Sequence, residues 1–180
     1  MRILGIDPGY GIIGYGVIDK TQRQMVAVDY GVIQTPKDKS IPIRLDILYK
    51  ALSDIIRKYK PDAVSVEELF FNTNITTGIK VAQARGVILL CAINECGNLF
   101  EYTPLQIKQA LTGNGRAEKK QVQYMVKALL GLKEEPKPDD AADALPCEYF
   151  AAQSAYYGLT EVLCTIILLV KLLTSESPIL

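Results

Sequence analysis

The sequence predicts an α/β domain: a five-stranded mixed sheet, with a three-strand antiparallel meander followed by parallel strands, and helices on both faces. Three observations carry this. Residues 1–35 hold three apolar, β-branched runs separated by turn chemistry. After them, apolar positions recur at spacings of three and four, the pattern of a helix with one buried stripe. Short apolar runs then alternate with such helical stretches, which is how parallel strands are connected. With 180 residues, 49% of them apolar, the chain can bury one substantial core.

The elements follow in order. Met1 to Asp7 is a buried strand, and GYGVID at 14–19 and MVAVDYGVIQT at 25–35 are two more. Leu45, Leu48, Tyr49, Leu52, Ile55, Ile56 and Tyr59 form one helical stripe, which Pro61 and Asp62 stop. AVSVEEL at 63–69 is a fourth strand, KVAQARGVILLCAINE at 80–95 a long helix, and Leu99 to Tyr102 a short fifth strand. Thr103 before Pro104 opens a helix, with Thr as cap and Pro in the first turn. TGNGRAEKK breaks that helix in a glycine loop, and QVQYMVKALLG resumes one that Gly131 ends. KEEPKPDD is a polar linker. DDAADAL at 139–145 reads as a helix N-terminus, where Asp caps and stabilises the first turn.

Net charge is zero, with 20 basic and 20 acidic residues, which excludes a uniformly basic nucleic-acid binder. The charge is unevenly spread. Between Leu105 and Lys133, Lys108, Arg116, Lys119, Lys120, Lys127 and Lys133 face Glu118 alone. A basic face beside clustered carboxylates suits polyanion chemistry that needs cations. Cys91, Cys96, Cys147 and Cys164 lack paired zinc-type spacing, and the chain has no histidine. Free thiols and the absence of a secretory pattern at Arg2 predict a cytoplasmic protein. The apolar stretch VLCTIILLVKLL is shorter than the roughly 20 residues that span a bilayer, and Lys171 interrupts it, so no membrane association is expected.

Four acids stand where strands end or a helix begins. Asp7 ends the first strand, Glu67, beside Glu68, lies near the end of the fourth, and Asp140 and Asp143 share one face of the last helix. If strands one and four are neighbours, Asp7 and Glu67 sit side by side, and a helix across that edge brings the other two. Each acid also has a plainer reading, as a turn cap, a strand end or a first-turn helix residue. Four carboxylates so close repel and take up protons unless cations relieve them. Hard oxygen ligands suit Mg²⁺ or Mn²⁺, and two such ions about 3.5–4 Å apart serve phosphodiester hydrolysis.

GIDPG at 5–9, VEELFF at 66–71, QARG at 83–86, GNGRAEKKQVQ at 113–123 and DDAADAL at 139–145, in that order, resemble the RuvC family of Holliday junction resolvases. The resemblance implies a ribonuclease-H-like fold over 1–145. It implies a homodimer and Mg²⁺-dependent (or Mn²⁺-dependent) paired nicking of a four-way DNA junction, with two ions per site. It also implies cooperation with a branch-migration helicase. The family's acids fall on Asp7, Glu67, Asp140 and Asp143. Its base-stacking aromatic falls on Phe70, with Phe71 next to it. Its phosphate-contacting lysines fall on Lys108 and Lys119, and Arg116 and Lys120 of the same segment join them as DNA-binding candidates. The QARG helix would supply the dimer seam, with Ala82, Ala84 and Gly86 permitting close approach. Residues 146–180 depart from the family: Pro146 interrupts the helix carrying Asp140 and Asp143. Two other readings compete. One is a junction-binding protein that this altered C-terminal region has disabled. The other is half of a nucleotide-binding protein of the actin and sugar-kinase group.

Overall fold

The computed structural model describes residues 1–21, 25–69, 75–118, 120–122 and 124–125. Strands β1 (Arg2–Asp7), β2 (Ile12–Lys20) and β3 (Met25–Gln34) form the expected antiparallel meander. Helix α1 (Ile41–Tyr59), β4 (Ala63–Glu67), α2 (Ile75–Glu95), β5 (Leu99–Tyr102) and α3 (Pro104–Thr112) follow. The sheet order is β3-β2-β1-β4-β5, with β4 and β5 parallel to β1. The mixed five-stranded sheet is therefore the predicted one.

β1 is central, and its run Ile3 to Ile6 is buried throughout because both faces of the sheet are covered. On one face Leu4, Ile6, Val17, Val64 and Val66 pack with Leu48, Leu52 and Ile56 of α1 and with Ala84, Ile88, Cys91 and Ala92 of α2. Alternation turns Ile3, Ile18 and Ala63 to the opposite face, where they are at most 2% exposed.

The helix ends follow their local chemistry. α1 stops where Lys60 turns left-handed at φ 47° and its N–H donates to the Ile56 carbonyl at 2.8 Å, with Pro61 next. Arg57 and Lys58 in the last turn complement the helix dipole. α3 opens on a reciprocal cap. Gln106 N–H donates to Thr103 Oγ1 at 3.2 Å, and Thr103 N–H donates to Gln106 Oε1 at 2.9 Å. α2 begins at Ile75, five residues earlier than Lys80, where the periodic stretch starts. Thr76, Thr77 and Gly78 are weak helix formers, so sequence patterning alone misses that turn.

Cys91 and Cys96 are free thiols, as expected. Burial pushes the Cys91 thiol pKa up, and its sulfur lies 3.3 Å from Ser53 Oγ. Among the described residues, no helix is long and apolar enough to cross a membrane. The helices expected beyond residue 125, the boundary at 145, and Cys147 and Cys164 lie outside the described residues.

Leu52 is fully buried at the α1–sheet contact. Leu52→Ala is expected to cost about 2–5 kcal/mol, read as a shifted urea midpoint with an unchanged denaturant slope.

Candidate active site

The two strand acids converge. β1 and β4 pair in parallel with Ile6 opposite Val66, and Asp7 and Glu67 each come one residue later. Neighbouring strands lie about 4.8 Å apart, and residues at equal register project from the same face. Asp7 and Glu67 therefore stand side by side at the C-terminal end of the sheet's central pair. Glu67 is 2% exposed, with both carboxylate oxygens shielded from solvent. Asp7 is half-buried. On the other side of Asp7, β2 presents Gly14, and Gly5 faces Gly16 one step back on the same face. Gly5, Gly14 and Gly16 themselves place no side chain beside the acids there.

The turn after Asp7 is tightly built. A Cβ on Gly9 would lie 1.9 Å from the Ile12 carbonyl oxygen, so glycine is required. Thr35 Oγ1 donates to the Tyr10 carbonyl at 2.8 Å, and Thr35 N–H to the Gly11 carbonyl at 3.0 Å. Arg44 of α1 is buried against this turn, its guanidinium 3.7 Å from the centre of the Tyr10 ring. At the end of β4, Arg85 of α2 donates from Nε to the Glu67 carbonyl at 3.0 Å and pairs with the Glu101 carboxylate. Sequence reading missed Arg44, Tyr10 and Glu101 and placed Arg85 only by its motif. Only Tyr10, directly after GIDPG, carried a local signal.

The basic segment begins on α3. Lys108 is half-buried, while Arg116 and Lys120 are exposed. The intervening loop is braced by its own side chains. Gly113 turns left-handed at φ 71°, Gln109 Nε2 donates to the Gly113 carbonyl at 2.7 Å, and Gly115 N–H donates to Gln109 Oε1 at 2.8 Å. Arg116 N–H donates to Asn114 Oδ1 at 3.0 Å. These hydrogen bonds brace the backbone that presents Arg116.

Asp140, Asp143, Phe70, Phe71 and Lys119 lie outside the described residues. Among the described residues, no three acids, cysteines or histidines gather into a metal cluster. Asp7 and Glu67 are the pair in place. Two carboxylates with hard oxygen donors suit a small divalent cation, which takes one or two such ligands and keeps its waters. In the absence of cations the adjacent charges oppose folding. Glu67→Gln is accordingly expected to raise the metal-free melting temperature by roughly 2–4 °C, measured by differential scanning calorimetry, and to lose that advantage in millimolar Mn²⁺.

The chain is similar to known proteins over most of its length. The family model for "Crossover junction endodeoxyribonuclease RuvC" matches residues 3–148. A protein of that name from Brevibacillus brevis is 52% identical over 162 residues, covering 89% of this chain and 98% of its own. One from Alkaliphilus metalliredigens is 51% identical over 157 residues, covering 87% and 96%. Among solved structures, T. thermophilus RuvC in complex with Holliday junction substrate superposes with a TM-score of 0.72 at 30% identity, covering 93% of this chain and 92% of that one. The yeast mitochondrial Holliday junction resolvase Ydc2, at 13% identity and a TM-score of 0.55, shares the fold. With a ribonuclease-H-like sheet, two strand-end acids in register and matches of this extent, the chain belongs to the RuvC family of crossover junction endodeoxyribonucleases.

Proposed function

We propose that this protein resolves four-way DNA junctions in recombination and repair, as a structure-selective endonuclease that nicks paired strands. The observation that carries this is the side-by-side placement of Asp7 and Glu67 at the end of the parallel β1–β4 pair, in a chain 52% identical to a crossover junction endodeoxyribonuclease. Asp7 and Glu67 would hold Mg²⁺ or Mn²⁺, with Asp140 and Asp143 as further ligands. Bound there, two such ions supply Lewis acidity and an activated water for phosphodiester hydrolysis. Lys108, Arg116, Lys119 and Lys120 would neutralise and register the phosphate backbone. Phe70 and Phe71 would stack on unpaired bases at the crossover.

Paired cuts require two sites, and α2 offers the surface to join them. Ile79, Gln83, Gly86, Leu90 and Ile93 recur at alternating spacings of four and three, the seam spacing of packed helices. Ile79, Leu90 and Ile93 are 55%, 56% and 47% exposed, and a Cβ on Gly86 would meet nothing within 4 Å. A second copy of the chain is the occupant that fits, since it supplies the second acid pair. Ala84, expected on this seam, instead faces the core at 1% exposure. It lies on the opposite side of the helix, with Ile88 and Cys91. Ala82 is exposed. We place the reaction in the cytoplasm, in concert with a branch-migration helicase.

Two measurements test this. With a synthetic four-way junction and Mg²⁺, the wild-type chain is expected to nick opposed strands. Asp7→Asn is expected to lower the rate roughly a thousandfold while still retarding the junction in a gel; undiminished cleavage by that variant would sink the assignment. In sedimentation velocity the wild-type chain is expected to run as a dimer and Leu90→Glu as a monomer.

A further inference from the structure

Behind each acid stands an arginine that touches the backbone rather than the carboxylate. Arg44 is 7% exposed, and among the described residues it forms no ion pair with a carboxylate. Its Nε donates to Thr35 Oγ1 at 2.9 Å and its Nη2 to the Tyr10 carbonyl at 3.2 Å. Burying a cation without a counter-ion is costly, and here neutral oxygens and the Tyr10 ring are what offset the cost. Every one of those partners belongs to the turn after Asp7 or to the strand end that braces it.

Arg85 does the matching job for Glu67. Its Nε holds the Glu67 carbonyl at 3.0 Å, where the strand ends. The same guanidinium pairs with Glu101 on β5, which lies opposite Val66 in the register. Glu68 N–H donates to the Tyr102 carbonyl at 2.9 Å, so the backbone on both sides of the Glu67–Glu68 peptide is tied down. α1 and α2 pack on the same face of the sheet, and each sends one planar fork to the end of one acid-bearing strand. The Nε and Nη2 groups of the two arginines go to carbonyls, a hydroxyl and Glu101.

We propose that Arg44 and Arg85 are positioning residues for divalent-cation binding: acting through the Tyr10 and Glu67 carbonyls, they fix the strand ends that carry Asp7 and Glu67. This rests on the reading of Asp7 and Glu67 as cation ligands. Groups that orient metal ligands from behind typically change affinity about 10–100-fold when lost.

The test is Mn²⁺ binding to the full chain without DNA, followed by electron paramagnetic resonance of the free ion. Wild type, Asp7→Asn, Arg44→Lys, Arg85→Gln and Arg85→Lys are compared. Arg44→Lys keeps the charge but loses the fork that spans Thr35 and Tyr10. Both it and Arg85→Gln are expected to raise the half-saturating Mn²⁺ concentration about tenfold with unchanged circular dichroism, and Arg85→Lys, which keeps the positive charge and an ammonium donor without the fork, is expected to recover part of the loss. Wild-type Mn²⁺ midpoints in the arginine variants would overturn the proposal and leave the cation site standing. A weakened midpoint that tracks lost circular dichroism would overturn it as well. Arg85 lies at the sheet edge, so if Arg44→Lys fails to fold, Arg85→Gln decides. Wild-type binding that Asp7→Asn leaves intact would overturn the ligand assignment itself.

Discussion

Parallel pairing of β1 with β4 in a single register is the constraint on which the rest depends. It sets Ile6 opposite Val66 and so leaves Asp7 and Glu67 adjacent at the strand ends. A slip of one residue would turn one acid to the opposite face and one apolar strand face out of the core. The hydrophobic pattern that buries Leu4, Ile6, Val64 and Val66 against α1 and α2 is therefore also what aligns the carboxylates. Packing energy specifies the register, and the acids take their places as a consequence.

Such a pair is unfavourable for folding by itself. Like charges at neighbouring strand positions repel, and Glu67 is almost wholly removed from water. A fold tolerates this when the surroundings over-determine it. Here the central strands are flanked on both sides in the sheet and covered on both faces, and the turn after Asp7 admits only glycine at position 9. The two arginines that brace the strand ends come from helices committed to the core. Stability elsewhere in the domain holds the two carboxylates side by side.

Much of this was legible in the residue order. The meander, α1, β4, β5 and the start of α3 follow from alternation, helical spacing and the Thr103–Pro104 cap, all of which act over a few residues. The early turn of α2 was hidden because Thr76, Thr77 and Gly78 favour helix weakly and the tertiary context overrides them. Asp7 and Glu67 were identifiable because each ends an apolar run, where an acid has no packing role. Arg44 and Arg85 were not, because an arginine in an amphipathic helix reads as a solvated face. Nothing local distinguishes a guanidinium that folds back onto a carbonyl 34 residues away from one that points into water.

The amino-acid order by itself determined which segments become strands and helices, and which carboxylates end them. Those choices rest on short-range sterics and on the period of apolar positions. Tertiary structure alone decided that Asp7 meets Glu67, that Ala84 faces the core while Leu90 faces out, and that Arg44 and Arg85 serve the backbone behind the acids. Each of these is a contact or exposure set by how distant segments pack, and its energy exists only once the sheet has closed in one register.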